Sequence, residues 1–335
     1  EVSADSGFTL RYIERCLERV GLGDRWAYRA ASQGGEVLGP ASAGFGALFR
    51  EADALLNVTG STLLRDEHMA TPARLYVETD PGPVQIWTAT DQPAMEDYLG
   101  SHTHRFTFGE RYGEPDCRLP VGHFDFQPTR QPVVVDWWAS APIGPASARY
   151  STVASWQQSG KDVEWEGEVY TWSKDRQFAD YFDLPESSRA DFEMALARCP
   201  ADTIERLESH GWTIRDAVGI SSDPDTYRAY IQHSRAEFGV SKDQYTRLRT
   251  GWFSDRSACY LAAGRPVVAE ETGFSRVLPT GEGLLPFGTP AEALDAIATI
   301  ESDYPAHCRA ASDIAREYFD AEKVVGSLLA RSGVT

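Results

Sequence analysis

Cysteine, positive charge and long apolar runs are all scarce in this chain. Five cysteines, Cys16, Cys117, Cys199, Cys259 and Cys308, are spread over 335 residues. They are odd in number and form no Cys-x-x-Cys pair. This argues against a disulfide scaffold or a structural zinc site and fits a reducing compartment. Lysine plus arginine number 32 against 50 aspartates and glutamates, a net charge of −18. A field of that sign repels nucleic-acid phosphates, and no basic stripe overrides it. No apolar run approaches the roughly 20 residues needed to span a bilayer, and no signal peptide is visible. Repeats and low-complexity tracts are missing too. The expectation is a cytoplasmic protein with no nucleic-acid partner and no transmembrane segment, its oligomeric state open.

What is present is an alternation of strand-like and helix-like segments. A length of 335 residues exceeds what one core usually holds, so two domains are expected. Phe8, Tyr12, Ile13, Cys16, Leu17 and Val20 fall at helical spacing, with Gly21 as a stop. Residues 26–30 read as a strand, 32–42 as a loop and 45–52 as a short helix. Residues 54–58 read as a buried strand followed by the turn Thr59-Gly60-Ser61-Thr62. Residues 63–69 read as helical, and further strands follow at 74–78 and 105–108. Alternation of this kind implies a parallel, doubly wound sheet. Such a sheet normally begins with a strand, whereas this chain begins with a helix. The first strand and glycine-rich loop are therefore expected to be missing.

Proline-rich connectors at 127–132 and 141–145 mark a boundary. Beyond it, strands are expected at 150–154, 192–197, 213–217 and 236–240. Helices are expected at 201–210, 225–234, 290–302, 306–319 and 321–329. The Trp- and charge-rich insert 156–172 fits neither pattern.

Residues 251–287 form the most informative run. Ser254 or Asp255 can cap a helix filled by Ala258, Cys259, Leu261, Ala262 and Ala263. Gly264 stands where a left-handed C-terminal residue is wanted. Pro266-Val-Val-Ala269 is a short β-branched run, as a buried parallel strand should be. Glu270, Glu271, Thr272, Gly273 and Phe274 follow it, and open α/β sheets bind ligands past the carboxyl ends of their strands.

Ala262-Ala-Gly-Arg-Pro-Val-Val268, the two acids, Thr-Gly-Phe and Gly281-Glu-Gly-Leu284 together resemble the C-terminal, donor-binding domain of GT-B glycosyltransferases of the family 1/4 type. The resemblance implies an α/β protein of GT-B architecture, with two Rossmann-like doubly wound domains separated by a cleft. Residues 1–130 would be the acceptor domain and 131–320 the nucleotide-sugar donor domain. Residues 321–335 would form a helix packing back on the first domain. It implies transfer of a sugar from a nucleotide diphosphate sugar to an unidentified acceptor, with no cofactor or metal required. Many retaining members carry a Glu for the donor ribose where this chain has Cys259. Asp255, four residues earlier on the same helix face, is the substitute.

The resemblance places donor contacts at Ser254, Asp255, Arg256, Glu270, Thr272, Gly273 and Phe274, with Glu271 catalytic. Arg235, Lys242 and Arg256 are the cations expected to neutralise the diphosphate leaving group. Thr59, Gly60 and Ser61 would face acceptor or phosphate, and Asp80 is the candidate general base, although Asp-Pro-Gly is also a turn signature. His102-x-His104 lacks a third ligand and is not read as a metal site. Asp223-Pro-Asp225 reads as a helix start, and the sequon at Asn57 as a buried strand end. Two other readings stay open, a nucleotide-sugar 2-epimerase of the same architecture and a non-catalytic binding protein.

Overall fold

The computed structural model describes residues 6–30, 34–90, 92–139 and 149–334. Its strands are a hairpin of β1 (Tyr28–Ala30) and β2 (Glu36–Leu38), then β3 (Ala54–Val58), β4 (Ala73–Glu78), β5 (His104–Thr107) and β6 (Gln127–Pro128). They continue as β7 (Tyr150–Ser155), a second hairpin of β8 (Val163–Trp165) and β9 (Glu168–Tyr170), then β10 (Phe192–Ala197), β11 (Trp212–Asp216), β12 (Ala236–Gly239), β13 (Val267–Glu270) and β14 (Leu284–Phe287). The hairpin β8–β9 resolves the Trp-rich insert. The strand β14 is not among the strands the sequence predicts.

Six of these strands form a parallel sheet in the order β11-β10-β7-β12-β13-β14. The order reverses between β7 and β12, so a crevice opens there at the carboxyl ends of the strands. Helices cover both faces, and the interior strands β10, β12 and β13 are accordingly buried along nearly their whole length. Val267 and Val268 are fully buried. Phe238 stacks on Phe287 and meets Tyr181, Phe192 and Trp212 in the core. The helix Asp255–Ala262 ends as read, with Gly264 at φ +67°. Ser254 precedes it but makes no side-chain cap.

The other parallel sheet runs β3-β4-β5-β6, in chain order. Among the described residues no strand lies beyond β3. This corrects the reading of residues 54–58 as buried. The strand is an edge, with Leu56 and Val58 exposed and only Asn57 turned inward. Residues 63–69 give not an α-helix but a 3-10 turn at Asp66–Ala70.

Two segments tie the sheets together. The helix Gly7–Glu18 leans on the second unit, with Arg15 paired to Asp223 and Arg19 to Asp225. The helix Ala321–Arg331 does the converse, packing Leu328 with Leu75, Val77, Phe106 and Phe108 of the first sheet. Chain crossings at Val133 and Phe319–Ala321 are bonded to each other: Val133 N donates to Phe319 O at 2.7 Å, and Ala321 N to Val133 O at 2.9 Å. No described helix is long and apolar enough to cross a membrane.

Candidate active site between the two sheets

Asp80, two residues past the end of β4, meets residues of the larger sheet. Its Oδ1 accepts from Tyr245 Oη at 2.5 Å and lies 3.3 Å from Lys242 Nζ; its Oδ2 lies 3.7 Å from Lys161 Nζ. Lys242 also sits over the ring of Trp172, 3.0 Å from its centroid. Trp252 stacks on Tyr245 at 4.2 Å and donates its indole N–H to Thr79 O at 2.9 Å. The bond to Thr79 fixes the strand end that carries Asp80.

The charges follow from this crowding. Burial pushes Lys242 down to about 8, with Asp80 acting in the opposite sense. Asp80 is held below the usual carboxylate range; burial opposes this, but Lys242, Tyr245 and Lys161 outweigh it. Asp255 is pushed up to about 6 by desolvation and then by the negative charge of Asp80.

Deeper in the larger sheet lies a narrow, nearly filled cavity of about 10 Å³, past the ends of β12 and β13, lined by Lys174, Ser241, Ser254, Arg256, Glu270 and Phe274 among others. Lys174 is buried and donates to Val240 O at 2.9 Å. Burial drives its proton affinity well below the lysine norm, and Arg256 and Lys242 push the same way. Glu270 accepts from Ser241 N at 2.8 Å, and burial raises it to about 7.

No family model matches the chain, and no curated protein matches it by sequence. Solved structures do match. HepE of Anabaena, in complex with UDP, superposes with a TM-score of 0.57 at 11% identity, covering 98% of this chain and 97% of that one. An alpha-glucosyltransferase in complex with UDP and a 13-mer DNA containing an HMU base superposes at 0.53 and 11% identity, covering 86% of this chain and 82% of its own. The alpha-glucosyltransferase AGT in complex with UDP gives 0.51 at 12% identity over 86% and 83%. The fold is that of the GT-B glycosyltransferases.

Within this GT-B frame the residues singled out from sequence divide. Glu270, Ser254, Arg256 and Phe274 line one cavity, and Lys242 meets Asp80. Glu271 does not face that cavity. Its Oε1 accepts from Gly273 N at 2.5 Å and so shapes its own loop. Thr272 is buried, its hydroxyl bonded to Trp252 O at 2.5 Å, and Gly273 takes φ +102° against Arg249 O. Thr59, Gly60 and Ser61 make no bond to the Asp80 cluster. Gly60 is wedged against Tyr76 and Tyr98, and its carbonyl accepts from Tyr98 Oη at 2.6 Å.

The expected island of cations also breaks up. Arg235 precedes β12, at the end of the sheet away from the crevice, and is bidentate to Glu301 at 2.9 and 2.6 Å. Arg247 pairs with Glu168 and Asp243. Arg256 reaches the cavity wall but bonds Glu237 Oε1 at 2.5 Å and Val153 O at 2.6 Å. Glu237 has 0% exposure, so Arg256 neutralises a buried carboxylate.

Lys161, Lys174, Trp172 and Tyr245 are site residues that sequence reasoning missed. A signal was there. The chain has four lysines, and the three at this site each precede an aspartate: Lys161-Asp162, Lys174-Asp175 and Lys242-Asp243. His102 is buried against Asn57 and the Tyr98 carbonyl, not against a metal. Asp223 caps the helix Pro224–Gln232, as expected from Asp-Pro. Among the described residues, Asp183, Glu186 and His210 are close enough to hold an ion, but they lie on the surface and His210 Nδ1 already meets both carboxylates at 2.9 Å.

Proposed function

We propose that the protein moves a sugar from a nucleotide diphosphate sugar to an acceptor hydroxyl. The observation that carries this is the gathering of Lys161, Lys174 and Lys242 at the crevice end of one GT-B sheet, in a chain of net charge −18. That collection suits a diphosphate. The C-terminal sheet would hold the donor, and the end of β4 would face the acceptor.

In the reaction, the acceptor oxygen forms a bond to the sugar's anomeric carbon. The bond from that carbon to the diphosphate oxygen breaks, and its electron pair leaves on the diphosphate. Lys242 and Lys161 stabilise that developing charge. These cations can do what a divalent ion does elsewhere, so the reading is metal-independent and expects activity in excess EDTA. Glu270 supplies a carboxylate for sugar hydroxyls. The acceptor's proton goes to Asp255, an exposed carboxylate at the start of the helix Asp255–Ala262 that feels the charge of Asp80 and so stands on the same crevice. Asp80 instead occupies the lysines until a diphosphate arrives.

The cleft carboxylates Asp80, Asp255 and Glu270 also favour a second reading, a nucleotide-sugar 2-epimerase. Incubation of donor without acceptor separates the two, since an epimerase yields an isomerised nucleotide sugar and a transferase does not.

The test is a thermal-shift series with UDP, dTDP, GDP and ADP and their sugar conjugates. One nucleotide should raise the melting temperature selectively, because a ligand binding only the folded state stabilises it by RT ln(1 + [L]/Kd). Lys242→Gln should weaken that binding about tenfold, or about 1.4 kcal/mol. No shift with any nucleotide would remove the reading.

A further inference from the structure

A second basic surface lies away from the donor crevice. On the helix Ala321–Arg331, Lys323, Ser327 and Arg331 recur every fourth residue and so share one face. Val324 and Leu328 beside them are buried, which fixes the helix's rotation and turns the stripe outward. The stripe borders a groove of about 300 Å³ whose other wall includes Thr129, Arg130 and Glu110, just past the ends of β6 and β5. Three cations thus face one carboxylate, in a chain where acids outnumber bases 50 to 32.

The partners of these groups leave capacity for a ligand. Arg331 stacks on Phe106 and donates from Nη1 to Pro128 O at 2.8 Å, and among the described residues no carboxylate pairs with it. Lys323 bonds the exposed Glu317 at 2.7 Å, a contact that water weakens. Arg130 pairs with Glu110. Burial raises Glu110 to about 7, against the pull of Arg130, which weakens this carboxyl as a competitor for an incoming anion.

We propose that this groove binds a small organophosphate, distinct from the nucleotide in the crevice. Its phosphate lies between Arg331, Lys323 and Arg130, with the Thr129 and Ser327 hydroxyls as donors. The site adjoins both chain crossings between the two sheets: Thr129–Arg130 enters the Val133 crossing, and Lys323 leaves the one at Phe319–Ala321. An occupant therefore bears on how the two sheets are set.

The experiment is thermal unfolding of the full chain with inorganic phosphate and with a hexose monophosphate, chloride holding ionic strength constant. A saturable rise is expected with either probe. Ser327→Glu places a carboxylate in the middle of the stripe at an exposed position that suits a helix, so it leaves the packing intact. It should abolish the rise without lowering the ligand-free melting temperature. Lys323→Gln with Arg331→Gln should weaken binding at least tenfold. The series is repeated with saturating UDP. A rise that persists assigns phosphate to the groove; one that UDP abolishes puts phosphate in the crevice and overturns the proposal. An unchanged rise in Ser327→Glu, or no rise at all, overturns it equally.

Discussion

Glu78 shows how much a single side chain's surroundings decide. It ends β4, and its Oε2 accepts from Gln85 Nε2 at 2.5 Å and from Thr107 Oγ1 at 2.6 Å, while Oε1 has no partner. Burial raises it to about 8, more than those two bonds lower it. A carboxyl raised in the folded state binds a proton that the unfolded chain has already lost. Its stabilising contribution is complete below the ordinary value near 4.5 and disappears as pH rises through about 8. Glu78→Gln should remove much of the fall in stability between those limits. It should stabilise the protein at pH 8 by on the order of 1–2 kcal/mol, read from denaturant melts at several pH values. Arg256 behaves differently from its sequence reading. Because Glu237 lies buried beneath it, Arg256→Met should cost about 3–5 kcal/mol of stability. Adding Glu237→Gln should recover most of this, and a double-mutant cycle by chemical denaturation measures the coupling.

Among the elements, those with local signals were legible and those set by neighbours were not. The helix Asp255–Ala262 and strand β13 carry their boundaries in Gly264 and the Val-Val pair. The edge position of β3 had no such mark, since Ala-Leu-Leu-Asn-Val reads as an interior strand until its neighbours are known. β14 was hidden because its Pro286 and flanking glycines suggest loop, yet it closes the edge of the larger sheet. Gly283, just before it, is at φ +74°, and an added Cβ would lie 2.4 Å from the backbone nitrogen of Ala311. The turn into β14 and the helix Tyr304–Ile314 cannot both hold their places around a side chain. Gly283→Ala should therefore destabilise by at least the 1–3 kcal/mol of a strained backbone position, with the loss seen in the melting temperature. Gly281→Ala gives the comparison: it too has positive φ, +103°, but open space around it, so only the strain remains.

At the scale of the whole molecule, the Asp80 cluster is a contact between the two sheets. Asp80 holds Lys242 and Lys161 against the end of β4, where the proposed diphosphate would compete for the same cations. Asp80→Asn should then tighten UDP binding several-fold by calorimetry and steepen its salt dependence, because the lysines no longer share their charge with an internal competitor. Weaker binding would mean that Asp80 supports the donor site. The C-terminal helix adds a second tie, since Leu328 is buried among first-sheet residues while its helix continues the chain of the second.

Periodicity, the β-branched run and a glycine at a helix end act between near neighbours in the chain. The sequence by itself therefore determined the α/β class, where along the chain most strands of the larger half lie, and the GT-B likeness of residues 251–287. It also determined that any anion site must be built locally against a charge of −18. Only the tertiary structure decided which cations stand at the crevice. Arg235 and Arg256 look like Lys242 in sequence, but Glu301 and Glu237 reach the first two from 66 and 19 residues away. Lys161 and Lys174, from a segment with no pattern of its own, instead join the site. The same packing separates Glu270 from Glu271, adjacent in the chain, into a cavity wall and a loop brace. Charge pairing depends on distance through space, and the sequence states only distance along the chain.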